Sequence, residues 1–431
     1  MKKKLCAALL CCLLLCSCSG LGDTLQVMRN ELRPDAPLAA VPYIDPGITT
    51  TFTPQQSTFY YDELGTEAAR TIYAAMLYHL AENNEGSLYL KGSFSRADVT
   101  GALRALQYDY PQLLCASWGQ SCSYYSTVGG TPLGIEISAG EAGTERAARA
   151  HVLKDKVSET LAAAAGYADL YERQQFLYDT LIEQVAYDYR AAKSSSDVAN
   201  EAATNLSLED RLAHTAYGAM VSDMAVCDGY ASAFQLLCNY AGIEAATVLG
   251  RVDPRDGVGG AVEVGEQDNH AWNFVRMADG AAYYCDPTWD DNGDVYLNEK
   301  GQMVEAPFSS EGMRSLGAPV LHRYFNLTYE EISRNHTANA SFRYPQDTAF
   351  AYGYYLQSGR VVETQEQLLT LARQAQQRAG SDALALEFRS SLTGKNASAT
   401  FARWFEALGD YRHMFLSTPE NGLGCYFIYL Y

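Results

Sequence analysis

Basic residues are scarce in this chain of 431 amino acids. Lysine and arginine total 32 against 51 aspartates and glutamates, a formal charge of −19. That balance argues against nucleic acid and against anionic membrane surfaces as direct partners, and its ordinary consequence is solubility. Long apolar runs are scarce as well. The run from Leu5 to Leu15 is too short to span a bilayer, and no second long run follows it. There is no internal repeat and no nucleotide-binding loop, so no cofactor is expected.

Cysteine is less abundant than its count of 11 suggests, because Cys6, Cys11, Cys12, Cys16 and Cys18 crowd the first 18 residues. A lysine cluster, a short apolar run and a small-residue zone make that stretch a secretory leader. Leu15-Cys-Ser-Cys18 resembles a bacterial lipobox. The resemblance implies cleavage before Cys18 and a lipid on its thiol, with Cys16 the alternative site. The mature chain is then expected to be anchored by lipid at the extracytoplasmic face of the cell membrane rather than to span it. Six cysteines remain. Cys115 and Cys122 are close enough in sequence to bridge in an oxidising compartment. Cys227, Cys238, Cys285 and Cys425 lie further on.

Ala225-Val-Cys227-Asp-Gly-Tyr-Ala-Ser-Ala-Phe234 reads as a short approach that turns at once into a helix. Tyr230, Ala231, Phe234, Leu237 and Cys238 form its buried stripe, and Gly242 stands where the helix ends. Cys227 therefore sits at the first turn, where unpaired N–H groups and the helix dipole favour a thiolate. A free cysteine is more often a core residue; two further segments point the other way. Asn269-His270-Ala-Trp272 comes first, 43 residues after Cys227 when counted to His270. Tyr283-Tyr-Cys-Asp286-Pro-Thr-Trp289 follows, with Asp286 16 residues beyond His270. Between them lie two apolar runs around Met277-Ala-Asp-Gly-Ala281, a hairpin signal. A two-residue loop would put His270 and Asp286 on opposite faces. A three-residue loop, Ala278-Asp279-Gly280, pairs Met277 with Ala281 and puts His270, Trp272 and Asp286 on one face. The three-residue loop is expected, so that Asp286 holds the ring of His270 and His270 takes the proton of Cys227. Cys238, about 16 Å along the same helix at ~1.5 Å per residue, and Cys285, facing away from Asp286, read as core.

These three segments, in the order Cys, His, Asp, resemble the transglutaminase-like superfamily of papain-like cysteine enzymes over roughly residues 170–300. The resemblance implies an α+β fold whose core is a cysteine-bearing helix packed on an antiparallel sheet. It also implies Cys227 as nucleophile, His270 as base and Asp286 as its orienter. Papain-like enzymes usually place a side-chain donor a few residues before the cysteine to complete the oxyanion hole. Met220 and Val221 stand there instead, so the second donor is open, with Tyr217 and Trp272 as the oxyanion or cleft residues to examine.

The remaining chain reads as flanking parts. Residues 1–18 are the leader and 19–50, rich in Pro, Ala, Asp and Thr, a tether. Residues 51–165 form an N-terminal α/β unit, with helices from about Glu63 to Glu82 and from a capping box at Ser95-Arg-Ala-Asp98, a hairpin over 121–138, and a long helix over 141–165. His79 falls beside an apolar stripe as a core or boundary residue. The catalytic domain covers 166–335. Within it Arg190–Leu206 reads as a loop, His214 as a surface helix residue, and Arg251–Asp268 as a glycine-rich acidic loop leading into His270, placed to act as a lid. Asp290-Asp-Asn-Gly-Asp294 has part of a calcium-loop pattern, but Thr288 stands where the first aspartate belongs; it reads as a polar turn, and no metal is expected. Residues 340–431 form a C-terminal α/β module of β-α-β-α-β pattern, its first strand at Phe350–Leu356.

The expected function is a surface-anchored cysteine enzyme acting on amide bonds of a protein or peptide substrate, cell-wall peptides included. With water as second nucleophile it is a peptidase or amidase. With a lysine-type amine it performs protein-glutamine acyl transfer. Hydrolysis is favoured because water is in excess at an open site. The rival is a non-catalytic surface module binding protein or peptidoglycan on the same scaffold; its usual mark, loss of a triad residue, is missing.

Overall fold

The computed structural model describes residues 43–45, 47–82, 86–113, 121–138, 143–199, 206–252, 268–291, 295–297, 303–305, 320–379, 384–393, 395–408, 414–417 and 423–430. The expected leader with Cys16 and Cys18, most of the expected tether, Cys115 and with it any pairing to Cys122, and nearly all of the acidic segment before His270 lie outside them. Among the described residues no helix is long and apolar enough to cross a membrane.

The chain divides into two units. The first holds Thr58–Ala148. Helix α1 (Glu67–Ala81) is capped by the Thr66 side chain, and α2 (Arg96–Asp109) by the expected box between Ser95 and Asp98. Strands β1 (Ser87–Lys91), β2 (Ser121–Ser126) and β3 (Pro132–Ser138) form an antiparallel sheet ordered β1-β3-β2. His79 is buried in α1. The Asp109 carboxylate collects the backbone N–H groups of Tyr60 and Tyr61 and the hydroxyl of Tyr73. Burial lifts its pKa to about 7 against those three bonds.

The second unit holds Ile44–Ser57 and Arg149–Tyr431. The boundary therefore falls inside α3 (Gly143–Ala164), not at its end. Residues 44–50, expected as the last part of a tether, are instead strapped to the end of the cysteine helix. The Asp45 N–H donates to the Tyr240 hydroxyl at 2.9 Å and the Thr50 hydroxyl to the Tyr240 carbonyl at 2.9 Å. After α4 (Leu170–Gln184) come β4 (Ala186–Tyr187) and α5 (Tyr189–Ala199), a helix where a loop is expected. Helices α6 (Leu208–Ala213) and α7 (Ala216–Val221) lead through β5 (Met224–Ala225) into α8 (Cys227–Tyr240). Strands β6 (Glu244–Val252), β7 (His270–Arg276) and β8 (Ala282–Cys285) follow, then the single turn α9 (Pro287–Asp290), β9 (Val295–Leu297), β10 (Met303–Glu305) and β11 (His336–Ala338). The main sheet is antiparallel, ordered β11-β6-β7-β8. Helix α8 packs on it: Gln235 accepts from the N–H and hydroxyl of Thr247, and the Asn273 amide donates to the Ala231 carbonyl. This is the expected cysteine helix on an antiparallel sheet.

The C-terminal part departs from its expected pattern at the start. Tyr354–Gln357 is a short helix, α10, because Gly353 opens a turn where a strand is expected. Helix α11 (Gln365–Ala379), β12 (Leu384–Arg389), α12 (Lys395–Phe405), β13 (Met414–Ser417) and β14 (Cys425–Leu430) complete the chain. The strands pair in the order β12-β14-β13. Phe388, Phe401 and Tyr426 form its aromatic core.

Glu387 of β12 ties that sheet to the rest of the unit through a buried histidine. His322 Nε2 meets Asp179 of α4 at 2.7 Å and its Nδ1 meets Glu387 at 3.3 Å, while its backbone N–H donates to Glu387 at 2.6 Å. The Tyr355 hydroxyl donates to Glu387 at 2.8 Å, and the Tyr354 ring lies flat on the imidazole at 3.8 Å. Burial alone would lower the His322 pKa; the charge of Asp179, its hydrogen bond and then Glu387 override that and raise it to about 10. A buried charge stripped of its partner is strongly destabilising. Glu387→Gln is expected to cost about 3 kcal/mol in urea unfolding. His322 is charged in the folded chain up to about pH 10 and in the unfolded chain only below ~6.5. The stabilisation from the pair is therefore complete below ~6.5 and is lost as pH rises through about 10, so the gap between variant and wild type should narrow over that range. A gap independent of pH would refute the charged form.

Candidate active site

The backbone around the hairpin settles which side chains meet. Phe274 pairs with Tyr284 and Arg276 with Ala282, the Met277 N–H donates to the Ala281 carbonyl at 3.0 Å, and Gly280 takes φ +81. This is the three-residue loop, with glycine in the left-handed position that such a loop requires. In that register His270, Trp272 and Asp286 share a face. Cys285, on the other face, is buried against the amides of Gln174 and Asn326, and Cys238 is buried too, as expected of core cysteines.

Asp286 is completely buried. Its Oδ1 caps α9, accepting the N–H groups of Thr288 at 3.0 Å and Trp289 at 3.1 Å. Its Oδ2 meets His270 Nε2 at 2.7 Å. Burial would raise the pKa of this carboxyl; His270 and then His336 outweigh it and hold the group well below the usual carboxylate range. His270 is the mirror case. Burial would lower its pKa, but the Asp286 charge and hydrogen bond, with a smaller contribution from the neighbouring Cys227, raise it to about 10. With Nε2 engaged by Asp286, Nδ1 is the ring nitrogen left for the thiol. The three residues picked out along the chain thus converge.

Cys227 is half-buried and is the first residue of α8. Its approach is held by backbone pairing: β5 runs parallel to β4, and the Val226 N–H donates to the Ala213 carbonyl at 3.0 Å. Val226 is the N-cap and has no side chain able to cap. The first N–H groups of α8 are therefore left for something outside the helix. Asp228, the acidic residue of that first turn, is kept from folding back on them, because His214 Nδ1 grips its carboxylate at 2.7 and 2.9 Å. His214 is thus buried and structural, not a surface residue. Gly229 lies against the backbone of α6; a Cβ there would stand 2.3 Å from the Ala213 carbonyl oxygen.

Of the two residues expected at the oxyanion hole or cleft, Trp272 lies beside His270 and Tyr217 stands apart. Trp272 is 1 % exposed and lies nearly parallel to the His270 ring, 5.9 Å away at 22°. With Trp289, 5.7 Å away on the same imidazole, it walls the ring from behind. Tyr217, on α7, has no hydrogen bond or ring contact with the triad among the described residues. A different tyrosine comes closer. Tyr187 of β4 pairs with Ala225 two residues before the cysteine and packs beside Val226. Withdrawal from solvent, and then the neighbouring Cys227, push its phenol well above the ordinary tyrosine value, so it keeps its proton and is a donor. No sequence signal marks it, because two-residue strands have no pattern to read.

A second histidine also reaches Asp286. His336 of β11, 50 residues beyond it, places Nε2 2.9 Å from the same Oδ2. By ligand type, His270, Asp286 and His336 form a metal-like trio. Their spacing does not suit an ion. Ligands about 2.1 Å from zinc stand roughly 3.4 Å from one another at tetrahedral angles, whereas these contacts are 2.7 and 2.9 Å, the lengths of shared protons. Nor do Asp290 and Asp291 form a polar turn open to calcium. They are buried, Asp290 accepting the Tyr178 hydroxyl at 2.7 Å and Asp291 that of Tyr230 at 2.5 Å. Residues 292–294 lie outside the described residues.

Residues 159–287 match the family model of the transglutaminase-like superfamily. No curated protein matches the chain. A crystal structure of a TGase is similar over 54% of this chain and 55% of its own, at 13% identity and a TM-score of 0.25. The chain thus spans about half the length of that structure, and the superposition is too loose to define a common fold.

Gly250 makes room for this arrangement. A Cβ there would sit 2.6 Å from Trp272 Cη2 and 2.3 Å from the Thr337 carbonyl oxygen, so it would push apart the ring behind His270 and the strand that carries His336. Gly250→Ala is expected to destabilise the fold by about 2 kcal/mol, as overpacking does. It should also perturb the near-ultraviolet dichroism of the tryptophans. A variant with unchanged melting and dichroism would show that the strand yields without disturbing the site.

Proposed function

Taking residues 159–287 as a domain of the transglutaminase-like superfamily, we propose that this chain is a cysteine-dependent enzyme that forms an acyl-enzyme from amide bonds of protein or peptide substrates. The observation that carries the reading is the buried His270–Asp286 pair at 2.7 Å, with Cys227 near enough to raise the pKa of the same ring at the uncapped start of α8. The imidazolium stabilised by Asp286 supports a Cys227 thiolate. The sulfur attacks the amide carbon; the C–S bond forms and the carbonyl π pair moves to oxygen. The Cys227 backbone N–H and the Tyr187 hydroxyl donate to that oxygen. His270 passes its proton to the leaving nitrogen as the C–N bond breaks. It then takes a proton from the second nucleophile, which attacks the thioester and returns the thiolate. Water is the favoured second nucleophile because it is in excess; an amine would give transamidation through the same steps.

Iodoacetamide tests this reading. Cys227 should alkylate at pH 6 at least about ten-fold faster than free cysteine, whose pKa is ~8.5, and Asp286→Asn should remove that excess. A rate no higher than that of free cysteine would sink the enzyme reading. Turnover of a peptide amide, unlike alkylation, should fall as pH rises through about 10, where His270 loses the proton it gives to the leaving group. Tyr187→Phe should keep the alkylation rate and lower turnover by roughly 10².

We also propose that the chain is lipid-anchored through Cys18 on the extracytoplasmic face, from the lysine cluster, apolar run and Leu15-Cys-Ser-Cys18 at its start. The mature protein from membranes should begin at Cys18 with a lipid on its thiol, read by mass spectrometry of the N-terminal peptide. An unmodified Cys18 would refute the anchor.

A further inference from the structure

We propose that His336 is a positioning residue of this site, a neutral imidazole that holds the Asp286 carboxylate and through it fixes the plane and tautomer of His270. The inference rests on the cysteine-enzyme reading above. An ionised carboxylate offers about four lone-pair directions and donates nothing. Asp286 meets four donors: Thr288 N at 3.0 Å, Trp289 N at 3.1 Å, His270 Nε2 at 2.7 Å and His336 Nε2 at 2.9 Å. Both imidazoles must therefore carry their proton on Nε2. Asp286 has no free direction left in which to turn, and the ring of His270 is held by a group that is itself held.

The surroundings of His336 favour the neutral form. It is buried, with Trp272 at 4.9 Å, Trp289 at 4.6 Å and Tyr324 at 5.5 Å between ring centroids. The titratable groups that face it are Asp286, His270 and Tyr324. Burial lowers its pKa further than the Asp286 hydrogen bond and charge raise it, and the proton on His270 lowers it again. A second imidazolium would share one carboxylate with the first. A neutral ring with Nε2–H has an acceptor at Nδ1. Asn335 Oδ1 lies 2.8 Å from that nitrogen and Asn335 Nδ2 lies 2.9 Å from the Tyr324 hydroxyl, two amide atoms of nearly the same size that exchange places when the amide is turned over. The consistent assignment turns the amide so that its NH2 donates to Nδ1 and its oxygen accepts from Tyr324. Asn335, His336 and Asp286 then form one directed chain of hydrogen bonds ending on His270.

The strand carrying this histidine, β11, is only three residues long and pairs His336 with Val252 of β6, while on the other side of β6 Gly250 pairs with His270 of β7. The absence of a side chain at Gly250 leaves room for Trp272 and for the β11 backbone, and the two imidazoles lie 5.5 Å apart between centroids.

The test uses the full chain. In His336→Phe the carboxylate loses one donor. Alkylation of Cys227 by iodoacetamide at pH 6 should fall at least about ten-fold, with a shifted pH profile, while His336→Gln, whose amide N–H can still reach Asp286, should stay within about three-fold of wild type. A wild-type profile in a folded His336→Phe would overturn the proposal. If that variant does not fold, nitrogen-15 NMR of the wild-type histidines decides: His336 should remain the neutral Nε2–H tautomer from pH 5 to 9, and titration within that window or an Nδ1–H tautomer would overturn it. Absence of enhanced alkylation in the wild type would instead defeat the enzyme reading itself, so the two failures are separable.

Discussion

The site depends on a single buried carboxylate. Asp286 lies at the point where β8 ends and α9 begins, so one oxygen is used as a helix cap and the other by side chains. The two uses reinforce each other. The backbone amides of α9 fix the carboxylate in the chain, and a carboxylate so fixed can orient an imidazole brought from another strand. Isolated in the protein interior the charge would be heavily penalised. Surrounded by four donors it is stabilised, and the arrangement becomes rigid because every alternative leaves a buried acceptor unmet.

What could be read along the chain follows the range of the interactions involved. The hairpin was legible because a short loop obeys local rules: Gly280 can take φ +81 without strain, and once it does, alternation carries His270 and Asp286 to the same face. The cysteine helix was legible from its apolar stripe, and the capping box at Ser95 from its spacing. His336 was not. It belongs to a three-residue strand that reaches the sheet from 50 residues beyond Asp286, and nothing local distinguishes it from any exposed histidine. His214 departs from expectation for the same reason, since its partner Asp228 sits in a different helix. Helix α5 stands where a loop is expected because its serines and alanines read as a connector, while Ala191 packs on Ala213 and Val226 from other segments; Phe350–Leu356 reads as a strand from its aromatic content, which says nothing of the turn that Gly353 makes.

Carboxylate and histidine recur as a structural device in the second unit. Asp228 with His214 shapes the start of α8. Asp179 and Glu387 with His322 join α4 to the C-terminal sheet. Asp286 with His270 and His336 builds the site. In the first two the imidazole ties one helix or strand to another. In the third, Cys227 contributes to the raised pKa of the ring. The chemistry therefore distinguishes Cys227 from the buried cysteines by its neighbours, since Cys238 and Cys285 are enclosed by core and have thiols raised by burial.

Valine is an unusual residue with which to begin a helix. By starting on Val226, α8 forgoes a cap that serine or aspartate would provide, a loss of about 1 kcal/mol of local stability. On the proposed mechanism, the oxyanion that develops beside Cys227 gives the open N–H groups of that turn an acceptor, so the reacting molecule completes the turn. The most loosely finished turn of the central helix is then steadiest at the moment of bond making, so a tightly bound mimic of that intermediate would stiffen the helix as well as occupy the site.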